Sequence, residues 1–193
     1  MRPEAFAEAF EQITGHHPMG WQRRLFKEFV GGDLPGVCDI PTGLGKTSVL
    51  QIWLLAVACQ AHRKSVTLPR RLVYVVNRRT VVDQATDEAL SLRTSIRAGG
   101  GGTLSHARAA LQSLCFDPSS DDSPVAVSTL RGEFADNREW QADPGRPAII
   151  IGTVVMIGSR LLFSSYGGGW KMRGFNAGLV GHGRARGLNE RYH

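Results

Sequence analysis

The chain has 193 residues, of which 42% are apolar, and it carries a net charge of +6 with a sequence pI near 9.7. This length suffices for one domain with its own hydrophobic core, and the apolar fraction excludes an intrinsically disordered chain. The excess of positive charge suits a polyanionic partner such as nucleic acid. Charge alone does not distinguish such a protein from a soluble protein that is basic for other reasons.

Helical and strand-like apolar patterns alternate along the chain. Residues 3–13 and 21–30 have the spacing of amphipathic helices, and residues 36–40 have the character of a strand. Further helices are predicted over residues 48–59, 80–92, 104–115 and 153–163, and further strands over residues 72–76, 124–130 and 148–151. This alternation predicts the α/β fold class, with a mainly parallel sheet flanked by helices and right-handed crossovers.

The three cysteines are widely spaced and form no CxxC pair. This pattern indicates a reducing compartment, and we therefore expect a cytoplasmic protein. Cys38 and Cys59 fall in apolar segments, so both are predicted to be small core residues. No apolar run reaches the length of a membrane span, and no membrane partner is expected.

A glycine-rich segment at residues 40–47, which we call the phosphate loop, lies between a predicted strand and a long apolar helix. The residues predicted to bind a nucleotide here are Thr42, Gly43, Leu44, Gly45, Lys46 and Thr47. Glycines allow successive N–H groups to point inward at an anion, and the following helix adds the positive end of its dipole. Lys46 is expected to reach the β- and γ-phosphates of ATP, and the Thr47 hydroxyl to ligate Mg²⁺. Ile40 occupies the position where the general pattern has glycine.

Polar side chains follow three of the predicted strands. They are Asn77, Arg78 and Arg79 after the first strand, Arg131 after the second and Thr153 after the third. Since the carboxyl ends of parallel strands share one edge, these residues are expected to form one surface for the backbone of single-stranded DNA. A solvated loop would account for the Asn77 to Arg79 cluster equally well. We call these five residues the strand-end surface.

The order of motifs along the sequence resembles that of the first motor lobe of a superfamily-2 helicase. The resemblance rests on Gln22, on the Pro-Thr-Gly-Leu-Gly-Lys-Thr run at residues 41–47, and on segments 73–84, 130–132 and 149–163. Segment 130–166 is similar, more narrowly, to the helicase-nuclease of type I CRISPR systems, in particular of the I-G (formerly I-U) branch. The resemblance covers about residues 10–182.

The resemblance implies a RecA-like ATP-binding lobe that unwinds DNA with a CRISPR guide-RNA effector complex, in antiviral defence. It implies that Gln22, whose amide has both a donor and an acceptor, contacts adenine; a surface glutamine is the alternative. It also implies contacts of Asn77, Arg78, Arg131 and Thr153 with single-stranded DNA. The family usually has Asp where this chain has Val155.

The resemblance divides the chain into N-terminal helices at 1–35, an incomplete ATP-binding lobe at 36–182 and a basic tail at 183–193. The family's Asp-Glu-Ala-His strand is expected after residue 182, and the tail has no such run. We therefore expect a chain truncated before its catalytic carboxylates and inactive alone. The strands at 72–76 and 149–151 would then lose packing partners. The alternatives are a non-catalytic nucleotide-binding or nucleic-acid-binding module, a lobe completed by another chain, or another phosphate-loop enzyme. The last is disfavoured because the guanine motif Asn-Lys-x-Asp is absent.

Overall fold

The computed structural model of the chain describes residues 1–41, 43–130 and 139–162. The helices in these ranges are α1 (Phe6–Thr14), α2 (Gly20–Gly31), α3 (Val49–His62), α4 (Arg79–Ala98), α5 (Thr103–Gln112), α6 (Glu139–Ala142) and α7 (Val154–Leu162). The strands are β1 (Arg71–Val76), β2 (Ala126–Leu130) and β3 (Ala148–Thr153), and short 3-10 turns cover Pro3–Ala5 and Lys46–Ser48.

The three strands form one parallel sheet in the order β1-β3-β2. In the register, Leu72 of β1 and Val127 of β2 both pair with Ile149 of β3. The central strand β3 is rich in β-branched residues, which suits a strand that is buried on both faces. The predicted α/β class, with a parallel sheet flanked by helices, is confirmed.

Alternate residues of β3 point into two separate cores. Ile149 and Ile151 belong to the larger core, which they share with α1 to α5. Ile150 belongs to a smaller core on the other face of the sheet, where it lies with Trp140 and Ile157. All three isoleucines are 0% exposed, so the predicted loss of packing at 149–151 is wrong: β3 has a strand on each side and helices over both faces.

Helix α3 is apolar around its whole circumference because other helices surround it. It packs against α1, α2 and α5, and every residue from Leu50 to Ala61 is buried. The chain then reverses and runs back along α3. Gln60 accepts hydrogen bonds from the N–H groups of Thr67 and Leu68 at 2.9 Å, and Trp53 donates to the carbonyl of Pro69 at 3.1 Å. Strand β1 continues in this direction and therefore runs antiparallel to α3.

The strand predicted for residues 36–40 is wrong. These residues adopt no regular secondary structure, and the Val37 side chain is 85% exposed. A strand needs a neighbour for its N–H and C=O groups, and no described strand pairs with this segment. Cys38 is consequently exposed, which contradicts the prediction of a core cysteine, whereas Cys59 is buried as predicted.

Candidate functional site

The two glycines of the phosphate loop adopt left-handed backbone conformations. Gly43 has a φ of 88° and Gly45 a φ of 69°. These values cost a non-glycine residue conformational energy, so the sequence requirement for glycine here comes from the backbone itself. Thr42, which precedes them, lies outside the described residues. Leu44, between the two glycines, is 39% exposed.

Lys46 and Thr47 occupy the turn that leads directly into α3. The turn is closed by the N–H of Ser48, which donates to the carbonyl of Gly45 at 3.0 Å. Lys46 is exposed and Thr47 is half-buried, and neither side chain has a hydrogen-bond partner within the described ranges. An ammonium and a hydroxyl that bond to no described residue, at the positive end of a 14-residue helix, can therefore bind an anion and its metal counter-ion.

Gln22 reaches the phosphate loop from α2. Its side chain is 4% exposed, and its Nε2 donates to the Ser48 hydroxyl at 2.7 Å. The Ser48 hydroxyl in turn donates to the Gly45 carbonyl at 2.7 Å. The other end of the amide, Oε1, accepts a hydrogen bond from the N–H of Met19 at 2.7 Å. The structure thus joins Gln22 to the loop through a serine that the sequence analysis did not select.

A cavity of about 570 Å³ lies at the carboxyl ends of the strands. Its lining includes three residues of the strand-end surface, namely Asn77, Arg79 and Thr153. Thr153 ends β3, and its hydroxyl accepts a hydrogen bond from the N–H of Met156 at 3.4 Å, which caps α7. Leu130, the last residue of β2, also lines the cavity, so the carboxyl ends of all three strands meet there.

The other two members of the strand-end surface are Arg78 and Arg131. Arg78 is exposed at the N-cap of α4, with an extended backbone, and it does not line the cavity. Arg131 lies outside the described residues; its chain neighbour Leu130 does line the cavity.

Sequence reasoning missed the cavity wall. Val82, Asp83, Leu130, Val155 and Met156 complete the lining. Val82 and Asp83 lie in the first turn of α4, so the helical periodicity of that segment could have placed them beside Asn77. Val155 is 76% exposed. The cavity therefore combines apolar walls with an amide, a hydroxyl, a guanidinium group and a carboxylate.

The directions of α3 and β1 relate the phosphate loop to the cavity. Because β1 runs antiparallel to α3, the carboxyl end of β1 and the N-terminal end of α3 point the same way. The loop precedes α3, and the cavity follows β1. From these directions we infer that the loop and the cavity lie toward the same end of the molecule, although no described loop residue lines the cavity.

Comparisons of the chain with protein-family models, with curated proteins and with solved structures gave no significant match. No helix in the described part of the chain combines the length and the apolar character needed to span a membrane. Among the same residues, no three His, Cys, Asp or Glu side chains converge as a metal site. Any proposal for function therefore depends on the phosphate loop and the strand ends.

Proposed function

We propose that this chain is the ATP-binding lobe of a RecA-like DNA helicase or translocase. The observation that carries the proposal is the phosphate loop, in which two left-handed glycines precede an exposed lysine and a threonine at the start of a buried helix. Loops with these features bind the phosphates of nucleotides through their N–H groups, because a helix N-terminus and free peptide donors both favour negative charge.

The residues fit the nucleotide and its metal ion. The N–H groups of residues 43–47 and the ammonium group of Lys46 would hold the phosphates, and the Thr47 hydroxyl would ligate Mg²⁺. When bound, ATP and Mg²⁺ would supply the energy of phosphoryl transfer for movement. The chain's own contribution is to orient the phosphates and to balance their charge.

The strand-end surface would hold single-stranded DNA on the same edge of the sheet. Guanidinium, amide and hydroxyl groups bind phosphate and sugar without reading the base sequence. The resemblance to the helicase-nuclease of type I CRISPR systems further suggests a cytoplasmic role in antiviral defence, alongside a guide-RNA effector complex. DNA-stimulated ATP hydrolysis by the chain would identify an active motor, and nucleotide binding without hydrolysis would identify a binding module.

Replacement of Lys46 tests the nucleotide site. Lys46→Ala should abolish the increase in melting temperature that ATP and Mg²⁺ cause, and it should leave the melting temperature of the free chain unchanged because Lys46 is exposed. Lys27→Ala is the matched control, since Lys27 is also exposed but lies on α2, away from the loop. If Lys46→Ala retains the full ATP-induced shift, the phosphate loop is not the nucleotide site.

A further inference from the structure

The Gln22 amide is already bonded within the protein at both of its ends. Its Oε1 accepts from the Met19 N–H, its Nε2 donates to the Ser48 hydroxyl, and both distances are 2.7 Å. The side chain is 4% exposed. An amide that binds the edge of a nucleobase has to present both its oxygen and its nitrogen to the ligand. A buried amide that is fixed in this way does not present them.

The same bonds connect Gln22 to the backbone that would cradle phosphate. The Ser48 hydroxyl in turn donates a hydrogen bond to the carbonyl of Gly45 at 2.7 Å. A Cβ added at Gly45 would lie 3.6 Å from Nε2 of Gln22, so the amide lies directly against the loop backbone. This series of hydrogen bonds, which we call the relay, thus runs from Gln22 through Ser48 to Gly45. It fixes the carbonyl of the glycine whose left-handed conformation shapes the loop.

We propose that Gln22 and Ser48 are positioning residues that hold the phosphate loop open for its ligand, and that the site binds the triphosphate group without selecting the base. This inference rests on the proposed nucleotide-binding function and defines which part of the nucleotide the site recognises. The ligand class is the Mg²⁺ complex of a triphosphate, whether the attached base is adenine or guanine. The relay acts on the loop backbone, and therefore it affects every triphosphate ligand equally.

The experiment compares the dissociation constants of three Mg²⁺ complexes, those of ATP, GTP and inorganic tripolyphosphate. For the wild-type chain, ATP and GTP should bind within about threefold of each other. Gln22→Ala and Ser48→Ala should each weaken all three ligands by about tenfold, which corresponds to about 1.4 kcal/mol. The double variant should be no weaker than either single variant, because both substitutions break one relay. Ser48→Thr should restore binding because it keeps the hydroxyl.

Gln12→Ala is the matched control: Gln12 lies on α1, and its exposed amide bonds only to Glu8 among the described residues. A preference for ATP over GTP of more than tenfold, removed by Gln22→Ala and kept by Ser48→Ala, would show that Gln22 reads the base and would overturn the inference alone. If Gln22→Ala lowers the melting temperature but leaves the dissociation constants unchanged, then Gln22 has only a structural role and the inference is wrong. If the wild-type chain binds none of the three ligands, the proposed function fails together with the inference.

Discussion

Cys38 lies five residues before Gly43 and is exposed, whereas Cys59 is buried and Cys115 is half-buried. Burial raises the pKa of the Cys59 thiol to about 11, and burial together with the nearby Asp143 carboxylate raises that of Cys115 to about 11. With a pKa of this size, about one thiol in a thousand is ionised at pH 8, and the thiolate is the reactive form.

A thiol reagent at pH 8 should therefore modify Cys38 first and leave Cys59 and Cys115 largely unmodified in the folded chain. ATP with Mg²⁺ should slow the modification of Cys38, because a nucleotide on the phosphate loop would lie over the adjoining segment. Mass spectrometry of labelled peptides measures both effects. Lys46→Ala should label at the same rate with and without ATP, and ATP protection that persists in this variant would contradict the assignment of the loop.

Replacement of Arg78 or Arg79 tests whether the strand-end surface binds single-stranded DNA. Arg78→Ala and Arg79→Ala should each weaken the binding of single-stranded DNA whatever its sequence. Each should also lower the slope of log affinity against log salt by about 0.7, the value for one lost phosphate contact on a single strand. The same result is expected for Arg131→Ala. Fluorescence anisotropy at several salt concentrations, with two unrelated oligonucleotides, gives both quantities.

Arg97→Ala provides the matched control for this measurement. Arg97 is exposed in the last turn of α4, the helix that begins at Arg79, and it lies about 27 Å along the helix axis from that residue. It removes the same charge from the other end of the same element. A salt slope that falls equally for Arg97→Ala would attribute DNA binding to net charge rather than to the strand ends.

At the scale of the elements, Gln60 joins three segments of the chain. Its Nε2 donates to the carbonyls of Phe29 and Val30 and to the Thr67 hydroxyl, and its Oε1 accepts from the N–H groups of Thr67 and Leu68. Gln60 is 3% exposed. This one side chain therefore fixes the end of α2, and the reversal that carries the chain into β1, against α3.

Gln60→Leu should lower the free energy of unfolding by about 2–4 kcal/mol, because it removes five hydrogen bonds and leaves the N–H of the buried Leu68 without its partner. Gln51→Leu is the matched control on the same helix. Gln51 is also 3% exposed, but within the described residues it donates one bond, to Glu88 at 3.2 Å, and its Oε1 accepts none. Its replacement should change stability by less than about 1 kcal/mol. Equal losses in urea unfolding would show that burial, and not the hydrogen bonds, sets the cost.

Periodicity predicted those elements whose apolar pattern is complete within the segment. Helix α3 and strands β1 and β3 were predicted because unbroken apolar runs leave few alternatives. The strand predicted at residues 36–40 failed because a strand depends on a neighbour that the segment itself does not encode. Helix α6 was missed because four residues, Glu139–Ala142, are too few to establish a helical period.

The candidate site, too, was predictable only where strand order or a local pattern determines it. The meeting of Asn77 and Thr153 follows from the parallel strand order, since Asn77 follows the carboxyl end of β1 and Thr153 ends β3. The connection from Gln22 to Ser48 spans 26 residues and depends on how α2 packs against α3, which no local pattern specifies.

At the scale of the whole molecule, β1 has a strand neighbour on only one side among the described strands. The carbonyl of Arg70 accepts from the N–H of Ala148 at 2.8 Å. Because peptide groups alternate in direction along a strand, those of residues 72, 74 and 76 then point toward β3, and those of Val73 and Val75 point away from it. The Val75 side chain is 45% exposed. Within the described residues β1 is therefore less buried than β3, and the predicted loss of packing at residues 72–76 stays a prediction.

A strand edge without a neighbour among the described strands, and with an exposed valine, favours pairing between chains, so the 193-residue chain should self-associate as its concentration rises. Val75→Lys should reduce this association, because a charge on an edge strand opposes pairing, and the cost in stability should be small at a side chain that is already 45% exposed. Val37→Lys makes the same change at a side chain that is 85% exposed and lies on no strand, so it should leave association unchanged. Sedimentation velocity over a range of concentrations measures the three proteins side by side. A wild-type chain that stays monomeric throughout would show that the outer edge of β1 is not available for pairing.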